Sequence, residues 1–346
     1  MSQTADSARA LEQVKTDAPA NGQASSSMEN VYRPIAAELA QVESILKTEL
    51  RSDTPFVDQL LEHSWLLGGK RIRPVFVLLS AASCGGIQPS HLQLAAALEM
   101  IHTATRGHDD FLDEAETRRH RPTANAIWGA KQSVLLGDYL FTHAFHVAAL
   151  GESAPALRML AQASNRVCEG EMRQNGWVGE FDLDEASYLR MITEKTAELC
   201  GVGCRIGAFL AGASDDVADQ YEAYGRNLGV AFQIIDDVLD IVGQTESMGK
   251  TLGTDLANQK PTLPVIHCLE KLPTGRRDEF LTLLSSENAT AERLLEFLNE
   301  TDSIGYARLR AREHSQAAID FAQSLDSNVY SAALGQLADF VLARTN

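Results

Sequence analysis

From Tyr32 onward the 346-residue chain reads as one amphipathic helix after another, so an all-α fold is expected. Apolar residues recur at helical spacing in almost every segment, and no run alternates with the period of two that a half-buried strand needs. Two acidic clusters point the same way: Asp109-Asp110-Phe111-Leu112-Asp113 and Asp236-Asp237-Val238-Leu239-Asp240 both place carboxylates at i and i+4, one face of a helix. No composition break divides residues 31–346, and a single-domain helical bundle is expected there. Residues 1–30 are rich in Ser, Ala, Gln and Asn and cannot bury enough surface to offset ordering entropy, so they are expected to form a disordered tail.

The elements follow in order. Ile35, Leu39, Val42, Ile45, Leu46 and Leu50 form the first stripe. A second helix is expected over Phe56–Leu67, ended by Gly68-Gly69, and a third from about Arg71 to Ser83, stopped by Cys84-Gly85-Gly86. Leu92 to Leu112 reads as a long, Ala-rich, buried helix ending in the first acidic cluster. Pro122-Thr123 opens the next, from Ala124 to about Leu150, and Pro155 opens Ala156–Asn175. Phe181-Asp182-Leu183-Asp184 reads as a loop and a helix start, its acids where the dipole prefers them. Helices are expected at Glu185–Ala211 and Asp215–Val242, the latter carrying the second cluster, followed by three or four more.

Bulk properties exclude several classes of function. A formal charge of −17 argues against a nucleic-acid partner. No apolar run is long enough for a transmembrane segment, and Asp6, Glu12 and Asp17 argue against a transit peptide. Cys84, Cys168, Cys200, Cys204 and Cys268 are odd in number and lack zinc-type spacing; Cys200 and Cys204 read as small buried hydrophobes in a reduced, cytoplasmic protein.

The acidic clusters carry the chemistry. Each lies within or after a mostly apolar run, and burying such acids costs several kcal/mol per ion unless they are paired or bound to metal. Mg²⁺ suits carboxylate oxygens and commonly shares its shell with a substrate phosphate. Cations sit nearby. Gly68-Gly69 precedes a helix start where N–H groups can face an anion, with Lys70 and Arg73 on one face beyond it. Arg118 and Arg119 follow the first cluster; they can neutralise its aspartates or grip diphosphate oxygens bidentately. His102 lies two turns before Asp109 on the same face, where it can pack in the core or touch a ligand. Lys195-Thr196 and Gln233 are unremarkable alone, and Lys250 lies in a loop at Gly249–Asp255, with Lys260 after it.

Together these residues resemble the trans-isoprenyl diphosphate synthases (polyprenyl synthetases). The resemblance covers about residues 31–346 and rests on Gly69–Pro74, both acidic clusters, Arg118-Arg119, Lys195-Thr196, Gln233 and the Gly249-Lys250 loop in that order. It implies a bundle around a deep central cavity, usually in a homodimer, that joins isopentenyl diphosphate head-to-tail to an allylic diphosphate, the product being handed on to a membrane. Carried over by position, Asp109, Asp113 and Asp236 are the principal ligands of several Mg²⁺ ions, supported by Asp110, Asp237 and Asp240. Lys70, Arg73, His102 and Arg119 form the isopentenyl diphosphate site. Arg118, Lys195, Thr196, Gln233, Lys250 and Lys260 form the allylic diphosphate site. Catalysis is expected from Asp109, Asp110, Asp113, Arg118, Lys195 and Asp236. Departing pyrophosphate is the expected base.

The chain departs from the family pattern at Arg106-Gly107, where relatives have aliphatic residues; Arg106 can compete for the acids or face a partner subunit. Family members stop chain growth with bulky residues one turn above the first cluster. One turn rises about 5.4 Å, close to one isoprene unit. Ala104 and Thr105 supply no plug, so a product of geranylgeranyl length or longer is expected, with Leu98, Ile101 or Met172 setting the limit. A class I terpene cyclase needs no isopentenyl diphosphate pocket, yet Lys70, Arg73 and Arg119 are present. A weakly active regulatory subunit of a heteromeric synthase would tend to lose the aspartates, yet both clusters are intact.

Overall fold

The structure, a computed structural model, describes residues 28–66, 69–118, 121–242, 259–286 and 291–344. Of the residues singled out above, Gly68, Arg119 and the Gly249–Asp255 loop with Lys250 lie outside the described residues, as do residues 1–27. The described chain is already helical at residues 28–32, where Met28, Val31 and Tyr32 pack into the core. A 3₁₀ turn at Arg33–Ile35 leads into α1 (Ala36–Glu49), then α2 (Pro55–Leu66), α3 (Ile72–Cys84) and α4 (Pro89–Leu112). A two-residue hairpin follows, β1 (Thr117–Arg118) antiparallel to β2 (Arg121–Pro122), too short for any alternation to announce it.

The helix expected over Ala124–Leu150 is two, α5 (Ala124–Trp128) and α6 (Ala130–Ala149), because Gly129 takes φ 81°, which a helix cannot continue through. After α7 (Ala154–Gly176), the segment expected as one helix over Glu185–Ala211 is α8 (Glu185–Ile192), a π turn (Thr193–Ala197) and α9 (Glu198–Leu210). Asp184 starts α8 by accepting from Ser187 N–H at 2.8 Å. The long α10 (Asp215–Val242) matches its expected limits. Five helices complete the described chain: α11 (Leu263–Lys271), α12 (Thr274–Leu284), α13 (Ala291–Glu300), α14 (Ser303–Ser324) and α15 (Val329–Ala343).

Packing puts α4 against α6 and α3, α9 against α10 and α3, and α14 against α10 and α15. The buried faces of α3, α4, α9 and α10 supply the main core, including Leu78, Leu98, Ile101, Val202 and Leu228. Each large aliphatic side chain sealed there contributes roughly 1.5–3 kcal/mol by leaving water. His91 ties the start of α4 into this core: its Nδ1 accepts from Gln88 N–H at 2.8 Å, and its Nε2 lies 3.1 Å from the Gly207 carbonyl of α9. Cys200, Cys204 and Cys268 are buried as small apolar groups, and all five cysteines are free.

Candidate active site

The first acidic cluster closes α4 at its C-terminal end, where the helix dipole disfavours negative charge, so each carboxylate needs a cation. The structure supplies a different one to each. Asp109 lies 3.9 Å from Lys195 Nζ. Asp110 is buried and accepts from Arg118 Nε of β1 at 2.5 Å. Asp113, the cap residue, accepts from Lys260 Nζ at 2.8 and 3.0 Å. Burial pushes the Asp109 carboxyl up to about 6 against the pull of Lys195, with Glu171 and Asp113 adding to the rise.

On α10 the second cluster is partnered differently, by one cation and by neutral donors. Asp236 accepts from the Arg344 guanidinium at 2.8 Å. Asp237 is buried and accepts two hydrogen bonds at 2.7 Å, from the Tyr188 hydroxyl of α8 and from Gln233 Nε2 one turn earlier. Asp240 is also buried. Asp236 therefore faces the Arg344 cation, while Asp237 anchors α10 to α8.

The π turn joins the two clusters. Lys195 Nζ donates to Gln174 Oε1 at 2.7 Å and lies 2.5 Å from Glu171 Oε2, both on α7, while facing Asp109 on α4. Its neighbour Thr196 donates to Gln233 Oε1 at 2.9 Å, and so reaches Asp237 through the amide. A π turn widens the helix and redirects these two side chains, which a regular i, i+4 ladder would set on one course. Two glycines clamp it: a Cβ at Gly170 of α7 would lie 2.6 Å from the Lys195 nitrogen, and one at Gly229 of α10 would lie 2.5 Å from the Ala197 Cα. Burial alone would lower the Lys195 pKa; Asp109 and Glu171 outweigh it and hold the ammonium charged.

The basic segment before α3 resolves into separate roles. Arg71 takes a left-handed backbone (φ 51°) that turns its side chain inward, where it pairs with Glu43 of α1 and lies 3.2 Å from Glu99 of α4. Lys70 stands over the Phe340 ring of α15 at 5.1 Å, and its carbonyl accepts from the Tyr32 hydroxyl at 2.7 Å. The Arg73 Nε is buried without a hydrogen-bond partner among the described residues, an orphan donor of the kind an anion satisfies. His102 is half-buried on α4. Arg106 and Gly107 line a cavity of about 30 Å³ between α2, α4 and α6, shared with His63, Asp110, Arg118 and Leu136. Arg106 thus lines the same cavity as Asp110 of the first cluster. Leu98, Ile101 and Ala104 are wholly buried, whereas Met172 on α7 is 66% exposed.

Sequence reasoning missed Glu171, Gln174, Tyr188 and Arg344. Each meets its partner across at least 21 residues of chain, with no local spacing to announce it.

Residues 54–301 match the family model described as polyprenyl synthetase. The chain is 36% identical over 317 residues to an octaprenyl diphosphate synthase of Haemophilus influenzae, covering 90% of this chain and 95% of that one. It is 32% identical over 318 residues to an all-trans-nonaprenyl-diphosphate synthase (geranyl-diphosphate specific) of Rhodobacter capsulatus, covering 91% and 98%. Among solved structures, a decaprenyl diphosphate synthase from Rhodobacter capsulatus superposes with a TM-score of 0.87 at 32% identity, covering 92% of this chain and 99% of that one. A polyprenyl synthase from Caulobacter crescentus, complexed with calcium and isoprenyl diphosphate, gives 0.86 at 34%, covering 92% and 98%.

Proposed function

The chain belongs to the polyprenyl synthetase family, and from that premise we propose that the two acidic clusters on α4 and α10, with the π turn that links them, are where it elongates prenyl diphosphates. It is a prenyltransferase that condenses isopentenyl diphosphate head-to-tail with an allylic diphosphate, to geranylgeranyl length or longer. The observation that carries the site assignment is the π turn, which sets Lys195 beside Asp109 of one acidic cluster and lets Thr196 donate to Gln233, itself bonded to Asp237 of the other.

The residues fit a hard divalent cation such as Mg²⁺. The donors are carboxylate oxygens throughout, the chemistry a hard divalent cation prefers, and burial raises the Asp109 carboxyl even beside Lys195. Among the described residues no three His, Cys, Asp or Glu side chains already converge as a metal centre; cations hold the acids instead. Asp109, Asp113 and Asp236 would hold the ions, with Asp110, Asp237 and Asp240 in support. Bound there, the metal supplies Lewis-acid stabilisation to the charge developing on the departing pyrophosphate.

The chain's own groups do the rest. Lys195, Lys260 and Arg118 supply positive charge beside the allylic diphosphate, and because these side chains are largely buried that charge acts through a lower dielectric than water's. Lys70, His102 and the orphan Arg73 Nε orient isopentenyl diphosphate so that its double bond faces the allylic carbon as the C–O bond breaks. The new C–C bond forms, and the proton lost from the adjacent carbon passes to a pyrophosphate oxygen. Tyr188, Gln233 and Thr196 keep α10 in register with the π turn. Arg119 and Lys250 join these sets by the family resemblance alone.

The protein acts as a cytoplasmic homodimer that delivers its product to a membrane. Exposed Ile127, Leu135 and Tyr139 on α5 and α6 support the dimer. Five free cysteines support a reducing compartment, and none of the described helices is long and apolar enough to cross a membrane. The test incubates purified protein with Mg²⁺, labelled isopentenyl diphosphate and farnesyl diphosphate, and sizes the products. Label in longer prenyl diphosphates is expected. A hydrocarbon formed without isopentenyl diphosphate, or turnover only after a second protein is added, would overturn the reading.

A further inference from the structure

The carboxylates assigned to metal, Asp109, Asp113 and Asp236, are each held by a basic side chain: Lys195, Lys260 and Arg344. Two of these cations are residues the family resemblance assigns to diphosphate. Arg344 is not. It follows the last residue of α15 and reaches back across 108 residues to Asp236 Oδ1 at 2.8 Å. Its guanidinium also stands 4.5 Å from the centre of the Phe232 ring. Phe232 and Asp236 are one turn apart on α10, so the planar group lies over the ring while its edge meets the carboxylate. The same turn of α15 carries Phe340 beneath Lys70 at 5.1 Å. The end of α15 therefore touches both the second acidic cluster and the cation expected to take isopentenyl diphosphate.

We infer that Arg344 is a positioning residue that holds Asp236 as a stand-in for metal, so that divalent metal and diphosphate bind as a coupled pair. The inference rests on the metal-ligand assignment made above and adds to it a residue and a consequence. A metal ion arriving alone must displace Arg344 from Asp236, and leaves the half-buried guanidinium, among the described residues, with the Phe232 ring. A diphosphate arriving alone finds the cations already engaged with acids. When both arrive, the acids turn to the metal and the cations to the diphosphate oxygens, and no charge loses its partner. Linkage makes each ligand strengthen the other by the same factor. The pair is also free to exchange: Arg344 and Asp236 keep 27% and 32% of their side-chain surface open, and Arg344 is the cap residue that follows α15.

The test uses the full chain and Mn²⁺ as a spectroscopic substitute for Mg²⁺, with free ion read by electron paramagnetic resonance, alone and with inorganic pyrophosphate. In the wild type, pyrophosphate should strengthen Mn²⁺ binding. Arg344→Gln should bind Mn²⁺ alone at least about fivefold more tightly than wild type, the low end of ordinary coupling, and should gain less from pyrophosphate. Arg344→Lys, which keeps the charge, should fall between them, and circular dichroism should show all three folded alike. Unchanged or weaker binding of Mn²⁺ alone by Arg344→Gln, with the wild type binding normally, overturns the role of Arg344 only. A wild type that takes up no Mn²⁺ with or without pyrophosphate overturns the metal assignment, and this inference with it.

Discussion

Removing the Arg71 guanidinium should be among the most damaging changes outside the two acidic clusters and their cations. Arg71 is 7% exposed, and it sits between Glu43 and the 3% exposed Glu99, whose second oxygen already lacks a partner among the described residues. Arg71→Met would leave the Glu99 carboxylate buried and uncompensated, a loss of about 3–5 kcal/mol for a broken buried pair. The left-handed backbone at Arg71 costs about 1 kcal/mol already, so relaxing it can offset little of that. Glu99→Gln should cost less, about 1–2 kcal/mol, because Arg71 keeps Glu43. Replacing both residues by methionine should recover most of the loss, since no buried charge is left alone. Urea unfolding followed by tryptophan fluorescence suits the measurement: Trp65 Nε1 donates to Glu43 Oε2 at 3.3 Å and reports on this network directly. A loss below about 1 kcal/mol for Arg71→Met, or an Arg71→Met/Glu99→Met variant no more stable than Arg71→Met alone, would refute the reasoning.

His91 should make the protein acid-sensitive. Burial lowers its pKa below 6.5, so the stability it contributes is fully present above pH 6.5 and is lost as the pH falls toward the folded value; protonation also ends its acceptance from Gln88 N–H. Thermal melts between pH 8 and 5 should therefore show a smaller acid loss in His91→Gln than in wild type, and parallel curves would count against this. Gly170→Ala should lower turnover at least about tenfold while costing stability only about 1–3 kcal/mol, because the added Cβ presses on the Lys195 backbone and displaces its ammonium. Steady-state kinetics beside a melting curve would decide it; equal proportional losses in both would not fit. Arg106→Leu should lower the Mg²⁺ concentration for half-maximal turnover by relieving competition for the Asp110 side of the first cluster. An unchanged Mg²⁺ dependence would dismiss the competition.

What the sequence could reveal depended on how far apart the interacting residues lie. The acidic clusters and most helices were legible because their logic is local: i, i+4 carboxylates, apolar stripes, a Pro or Asp at a helix start. The break at Gly129 and the π turn at Thr193–Ala197 were not, since a glycine or a Lys-Thr pair inside a helical pattern becomes a break or a bulge only under its neighbours' packing. Arg71 shows the same limit within one motif. Nothing in the order Lys70-Arg71-Ile72-Arg73 says that the middle arginine turns inward to Glu43 and Glu99 while the others flank it.

By itself, then, the sequence determined an all-α chain with two carboxylate faces and the cations to oppose them, because composition and periodicity are properties of neighbours along the chain. Only the tertiary structure decided which cation meets which acid: Lys195 with Asp109, Lys260 with Asp113, Arg118 with Asp110 and Arg344 with Asp236. Charges attract over a few ångströms of space, and only the packing of α4, α7, α10, α15 and the π turn brings groups 8 to 147 residues apart within that range.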